Sequence, residues 1–327
     1  MNRILITGGA GFIGYHLASE LSKDPENHIV LLDNFARGKF DHELQTLVSK
    51  SNVDLLSGDL AEVPTLEKVG RGYDEVYHLA AIVGVRNVIS QPQEVLKANL
   101  LSTLHILEWF TKGGGQKILF SSTSEVYAWT QQFYELPIPT GEDVPLSLTD
   151  LRNPRTTYAA SKIFGELAIT HYCTTYEKAF VIVRFHNIYG PRMGYEHVIP
   201  ELYQRAINGE DPLIVYSAKH SRAFCYVTDA VRATILSMRE PSAVGQTLNV
   251  GNDLEEVTIG ELARVLLEKA KVRASIEPRE DPTDPIVRRC PDISRARELL
   301  GYQPEVRLDE GLAKTLAWYA HELKVIS

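Results

Sequence analysis

Cysteine is scarce in this chain: Cys173, Cys225 and Cys290 lie far apart in 327 residues and form no CxxC pair. That spacing suggests neither a metal site nor a disulfide framework, and a reducing compartment is expected. Long apolar runs are missing too. No stretch approaches the ~18 residues that a membrane-spanning helix needs. The first residues lead straight into a short apolar strand, without a basic region, a long apolar core or a cleavage signal, so the expected location is the cytoplasm. Basic charge is in deficit, with 34 Lys and Arg against 42 Asp and Glu and no long Lys/Arg run. The net charge of −8 argues against a nucleic-acid partner, and an anionic substrate must then be held by a few local arginines. Internal repeats and low-complexity tracts are also absent.

What is present begins at the first strand. Arg3 to Gly14, RILITGGAGFIG, reads as a buried strand, a glycine turn and the start of a helix. Gly8, Gly11 and Gly14 recur at spacing three, and Asp33 closes the next apolar run, His28 to Leu32. The first glycine permits a tight turn, the second lets a pyrophosphate approach backbone N–H groups at a helix N-terminus, and the third lets helix and strand pack closely. A carboxylate at Asp33 accepts from a ribose diol and repels a 2′-phosphate, which favours NAD over NADP. Arg37, just beyond, is a cation that could meet such a phosphate.

Further apolar runs at Val53 to Leu56, Glu75 to Ala80, Lys117 to Ser121 and Ala179 to Arg184 alternate with helical patterns, which implies a doubly wound α/β parallel sheet covered on both faces. Long helices are expected over Pro92 to Thr111 and Thr157 to Tyr176. Between Tyr127 and Tyr158 no period is steady. Four prolines with Trp129, Phe133 and Tyr134 there suggest a lid. Beyond Arg184 shorter elements follow, with strands expected near Leu213 to Tyr216 and Phe224 to Val227. Thr247 to Val250 is expected to rejoin the sheet, and Pro278, Pro282, Pro285 and Pro291 punctuate a late link.

Two residues stand out chemically. Tyr158 and Lys162 are four apart in a helical stretch and project from one face. A phenol is a poor base at neutral pH, but a neighbouring ammonium and an oxidised nicotinamide both favour the phenolate, which can then take a proton from a sugar hydroxyl. Ser121-Ser122-Thr123-Ser124-Glu125-Val126-Tyr127 places hydroxyls at a strand end facing the expected cleft, and Thr123 can share the oxygen that Tyr158 deprotonates.

These stretches, with Asp33-Asn34, Gly58-Asp59-Leu60, His78-Leu79-Ala80-Ala81, Asn99, Tyr158-Ala159-Ala160-Ser161-Lys162 and Arg184-Phe185-His186-Asn187-Ile188-Tyr189-Gly190-Pro191-Arg192, stand in one order. Nearly end to end, the chain resembles the extended short-chain dehydrogenase/reductase superfamily, in its nucleotide-sugar epimerase and dehydratase branch. The resemblance implies a Rossmann-type sheet over residues 1–184, with about 223–250 returning to it. Residues 185–222 and 251–327 would form a smaller, interleaved nucleotide-sugar-binding domain. It implies NAD as cofactor, with Asp59 at the adenine, Lys162 at the nicotinamide ribose, and Phe12, Ile13, Asn34, Leu60, Leu79, Ala80, Ala81, Asn99, Ser121 and Tyr158 around it. Asn187, Arg192, Arg222 and Arg289 would hold the substrate, a nucleotide-diphosphate sugar with a UDP-sugar favoured. The two long helices match those through which relatives form homodimers. Departures fall around the sugar pocket: Ala128 replaces a common glycine, Lys219-His220-Ser221 precedes Arg222, and the loop 129–153 is longer than usual.

The shared first step of that branch is oxidation at C4 of the sugar, after which an epimer, an elimination or a decarboxylation becomes available. Elimination wants an acid beside the leaving oxygen, and dehydratase relatives supply an Asp-Glu pair where this chain has Ser124-Glu125. The leading expectation is therefore a UDP-sugar 4-epimerase, acting on a hexose or a uronate, with Tyr158, Lys162, Thr123, Ser124 and Glu125 as catalytic residues. Next comes a UDP-glucuronate decarboxylase, whose relatives share Thr-Ser-Glu, then a nucleotide-sugar 4-dehydrogenase. A non-catalytic NAD-binding scaffold is the reading from another class.

Overall fold

Ile4, Leu5 and Ile6 are fully buried on both sides of one strand, the pattern of a parallel sheet with each face covered. The computed structural model describes residues 1–148, 150–281 and 286–326. Strands β1 (Asn2–Thr7), β2 (Asn27–Asp33), β3 (Val53–Ser57), β4 (Tyr73–His78), β5 (Gly115–Thr123) and β6 (Ala179–Phe185) form a wholly parallel sheet with the strand Thr247–Val250. Its order is β3–β2–β1–β4–β5–β6 with Thr247–Val250 at the far edge. The chain winds outward from β1 in one direction and from β4 in the other, so the crevice at their carboxyl ends is the place for a ligand.

Side chains alternate across the pleat and feed two cores. Ile4, Ile6, Ile29 and Leu31 face one, where helix α1 (Phe12–Leu21) contributes Leu17 and Leu21. Leu5, Val30, Val76, Ile118 and Phe120 face the other, where the helices Pro92–Trp109 and Thr156–Thr175 supply Ile106, Leu107 and Ile169. Those two long helices pack against each other. The smaller elements gather at the carboxyl end of the sheet. Ser221–Ala223 pairs antiparallel with Glu256–Thr258 and parallel with Arg288–Arg289. The helix Ile259–Ala270 is opened by a reciprocal cap, in which Glu261 N–H donates to the Thr258 hydroxyl and Thr258 N–H donates to the Glu261 carboxylate. Among the described residues no helix is long and apolar enough to cross a membrane.

Three segments differ from the pattern in the sequence. The strand expected to run to Ala80 ends at His78, where Leu79 N–H turns to the Thr7 carbonyl. Phe224 to Val227 yields only Cys225–Tyr226, paired with Ile188–Tyr189, because Val227 opens a helix; of about 223–250, Thr247–Val250 is the part in the central sheet. The expected lid is instead stitched down. Ala128–Phe133 is helical with Trp129 buried, Thr140 N–H donates to Cys290 O at 2.9 Å, and Asp292 N–H donates to Thr140 O at 2.9 Å. Glu142 accepts from Asn249 N–H at 2.8 Å, so the loop is fastened to the sheet edge as well. Pro282 and Pro285 lie outside the described residues.

Candidate active site

The glycine turn after β1 leaves no room for side chains. Gly8 has φ +73°, and a Cβ on Gly14 would fall 2.2 Å from the Gly8 carbonyl oxygen. Gly11 opens α1, whose first turn carries no acidic residue and keeps its N–H groups available to an anion. Phe12 and Ile13 line the same wall. Asp33, at the end of β2, accepts Ala10 N–H at 3.0 Å and Phe35 N–H at 2.8 Å. Burial pushes its carboxyl up, and those backbone donors with that of Gly11 resist the rise. Asn34 donates to Asp59 at 2.9 Å, which joins the ends of β2 and β3 beside Leu60. Leu79, Ala80 and Ala81 follow β4 along the opposite wall. Asn99 holds that wall, accepting Ile82 N–H at 2.8 Å and donating to Ser161 at 3.1 Å. Arg37 reaches across the cleft to donate to Val83 O at 2.7 Å. This cradle, with a buried acid at its ribose end, fits a dinucleotide without a 2′-phosphate.

Past the glycine turn, the cleft of about 600 Å³ continues to the end of β5. Lys162 is buried, donates to Ser121 O at 2.7 Å and lies 4.8 Å from the centre of the Phe120 ring. Burial pulls its ammonium down to about 7, against the pull of Glu166. Tyr158 and Thr123 line the cleft together. Burial raises the phenol well above its ordinary range, with the negative charge of Glu125 adding to the rise; Thr123 and Arg37 oppose it. The expected phenolate depends on an oxidised nicotinamide as well as on the ammonium, and the protein's own groups leave the phenol protonated. Dehydration outweighs an ammonium 6.0 Å from the ring centre.

Glu125 accepts from Arg289 at 2.6 Å. Burial would push its carboxyl up, but Arg289, followed by Arg155 and Arg222, holds it below its usual range. Ser124 is buried beside it. Asn187, at φ +43°, donates to Ala223 O at 3.1 Å and lines the cleft. Arg222 donates to Ser221 O at 2.9 Å and bears on Glu125 by its charge without lining the cleft. Arg192 is matched by Asp41 and by Glu43 at 3.3 Å, and its guanidinium stacks 4.1 Å from the Tyr15 ring centre.

One cleft thus joins the glycine turn, Asp33, Thr123, Ser124, Glu125, Tyr158, Lys162, Asn187 and Arg289. Some of the groups that support or close it carry little local mark in the sequence. Glu166 accepts Ser122 Oγ at 2.5 Å and two Arg184 nitrogens at 2.8 and 2.6 Å, a buried brace one turn beyond Lys162. Its spacing from Lys162 was the available signal. Met193 to His197 and Trp318 close the cleft from distant parts of the chain, with Trp318 donating to Glu43 at 2.9 Å.

Residues 4–251 match the model of the NAD dependent epimerase/dehydratase family. The chain is 34% identical over 339 residues to the UDP-N-acetyl-alpha-D-glucosaminuronate decarboxylase of Bacillus cytotoxicus, with 97% of each chain covered. It is 32% identical over 324 residues to the UDP-glucuronic acid decarboxylase 1 of Danio rerio, covering 98% of this chain and 73% of that one. It also superposes on the UDP-glucuronic acid 4-epimerase from Bacillus cereus, solved with UDP-glucuronic acid and NAD, with a TM-score of 0.85, 26% identity, and 98% and 99% of the two chains covered.

Proposed function

The chain belongs to the NAD-dependent epimerase/dehydratase family, with NAD as its cofactor, and from that premise we propose that it decarboxylates a UDP-linked hexuronate after transient oxidation at C4. The observation that separates this reading from elimination of a hydroxyl is the Arg289–Glu125 pair at 2.6 Å. A carboxylate held ionised by an arginine is a poor proton donor, which disfavours elimination of a hydroxyl. A 4-keto uronate is a β-keto acid and needs no such donor to lose its carboxylate. The names of the two curated relatives support the same choice.

Tyr158 takes the proton of the sugar O4, with Thr123 sharing that oxygen. NAD, when bound, supplies the acceptor for the hydrogen on C4. Loss of carbon dioxide leaves the bonding pair in an enolate spread over C5, C4 and O4, and the donors at O4 stabilise it. A proton from water at C5 then gives a 4-keto pentose, and return of the hydrogen to C4, with Tyr158 giving the proton back to O4, would yield the UDP-pentose and leave the cofactor oxidised. Lys162, fixed by Ser121 O and the Phe120 ring, orients the cofactor ribose and tempers the charge beside Tyr158.

The expectation that ranked 4-epimerisation first is supported by the likeness to solved 4-epimerases, some named for neutral sugars and one, from B. cereus, for a uronate. A single experiment separates the readings. UDP-glucuronate labelled at the carboxyl carbon is incubated with the NAD-loaded protein, and released carbon dioxide and the NMR spectrum of the product are recorded. Labelled carbon dioxide with a UDP-pentose is the expected result; an epimeric uronate without gas release refutes decarboxylation.

A further inference from the structure

Asn249 is fully buried in the edge strand Thr247–Val250 and does not line the cleft, yet its side chain serves both halves of the Glu125–Arg289 pair. Its Oδ1 accepts from the Tyr127 hydroxyl at 2.8 Å, and Tyr127 ends the single 3₁₀ turn, Ser124–Tyr127, that carries Glu125. Its Nδ2 donates to the carbonyls of Thr140 and Asp292, each at 3.0 Å. Thr140 in turn bonds Cys290 O and Asp292 N–H, so the chain is clamped from the residue that follows Arg289. The amide is itself held in place. Asn249 N–H donates to Glu142 at 2.8 Å, and Arg184 donates to the Tyr127 hydroxyl at 2.8 Å and to Glu142 O at 3.0 Å.

An ion pair between positions 164 residues apart forms only if both backbones are set at the right separation. Two carbonyls face Nδ2 and a phenolic O–H faces Oδ1, so one orientation of the amide satisfies all three groups, and a planar amide fixes the distance between them. The charges that face Glu125 are Arg289 first, then Arg155 and Arg222, with the Tyr158 phenol also beside it. Of these, Arg289 belongs to the segment that Asn249 holds. We infer that Asn249 is a positioning residue for the reaction, whose single amide sets the turn bearing Glu125 against the segment bearing Arg289 and so keeps that pair closed. It acts through Tyr127, Thr140 and Asp292 from outside the cleft, and the inference holds for decarboxylation and for epimerisation alike.

The test reads Glu125 directly, without substrate. NAD-loaded protein carrying carbon-13 at the glutamate side-chain carboxyl is titrated by NMR, with the Glu125 resonance assigned by its loss in Glu125→Gln. The unaltered protein is compared with Asn249→Ala, Arg289→Ala and the double variant. Arg289→Ala should make Glu125 bind its proton about tenfold or more tightly, the scale of losing an adjacent opposite charge, and Asn249→Ala should move it in the same direction by about tenfold or less. The double variant should match Arg289→Ala within about twofold, because Asn249 acts through that pair. If Asn249→Ala loses its cooperative melting transition, Tyr127→Phe, which deletes the hydroxyl alone, takes its place. An unmoved Glu125, or effects that multiply in the double variant, overturns the inference. Turnover of UDP-glucuronate is scored separately: no carbon dioxide from the unaltered protein refutes the decarboxylase reading and leaves the Glu125 titration to decide the role of Asn249.

Discussion

Arg289 Nη1 lies 2.6 Å from Glu125 Oε1, a pair drawn from positions 164 residues apart, and the Arg289 Nε is buried with no hydrogen-bond partner among the described residues. Arg289 is the chief group that keeps Glu125 ionised against burial. Because the Glu125 pKa is depressed, its charge is present at neutral pH and is lost as pH falls through the lowered value. In Arg289→Ala the carboxyl rises toward or above its ordinary range, so the acid limb of the kcat/KM profile should move to higher pH. Turnover at neutral pH should fall by about tenfold to a hundredfold. A profile with an unmoved acid limb would exclude Glu125 as the titrating group.

Tyr158→Phe deletes the proton acceptor and little volume. Turnover should drop by roughly two to four orders of magnitude, while NAD titrated by fluorescence binds as before. Near-normal turnover would move the base elsewhere in the cleft.

Lys162 supplies a pH signature of folding. Its pKa falls to about 7 in the folded protein, from an ordinary value near ~10.4 when unfolded. Between these values the unfolded chain binds the extra proton, so this group's contribution to stability rises with pH. The melting temperature of the unaltered protein without added cofactor, relative to Lys162→Met, should therefore increase from about pH 7 toward pH 10. A difference that is flat or falls over that window contradicts the buried, depressed lysine.

Asp33 is already held by two backbone N–H groups at 3.0 and 2.8 Å, so its carboxylate is positioned before any cofactor arrives. NAD should bind far better than NADP, and Asp33→Ala should narrow that gap, measured as the ratio of the two dissociation constants. Equal affinities in the unaltered protein would reject this role.

The sequence by itself determined the parts that a few consecutive residues can specify. Gly8, Gly11 and Gly14 set a turn by the absence of Cβ atoms, the apolar runs set strands with both faces buried, and the spacing of Tyr158 and Lys162 put both on one helical face. Only tertiary structure decided which distant groups meet. The carboxyl ends of β1, β2, β4 and β5 converge because of the strand order. The tertiary fold also brings Glu125 to Arg289, Arg37 to the Val83 carbonyl, and Ser122 and Arg184 to Glu166. It also turns a proline-rich stretch that looked like a lid into a segment pinned at Thr140 and Glu142. Such pairings carry no local period, and the ionisation of Tyr158, Lys162 and Glu125 follows from the burial and charge that those neighbours create.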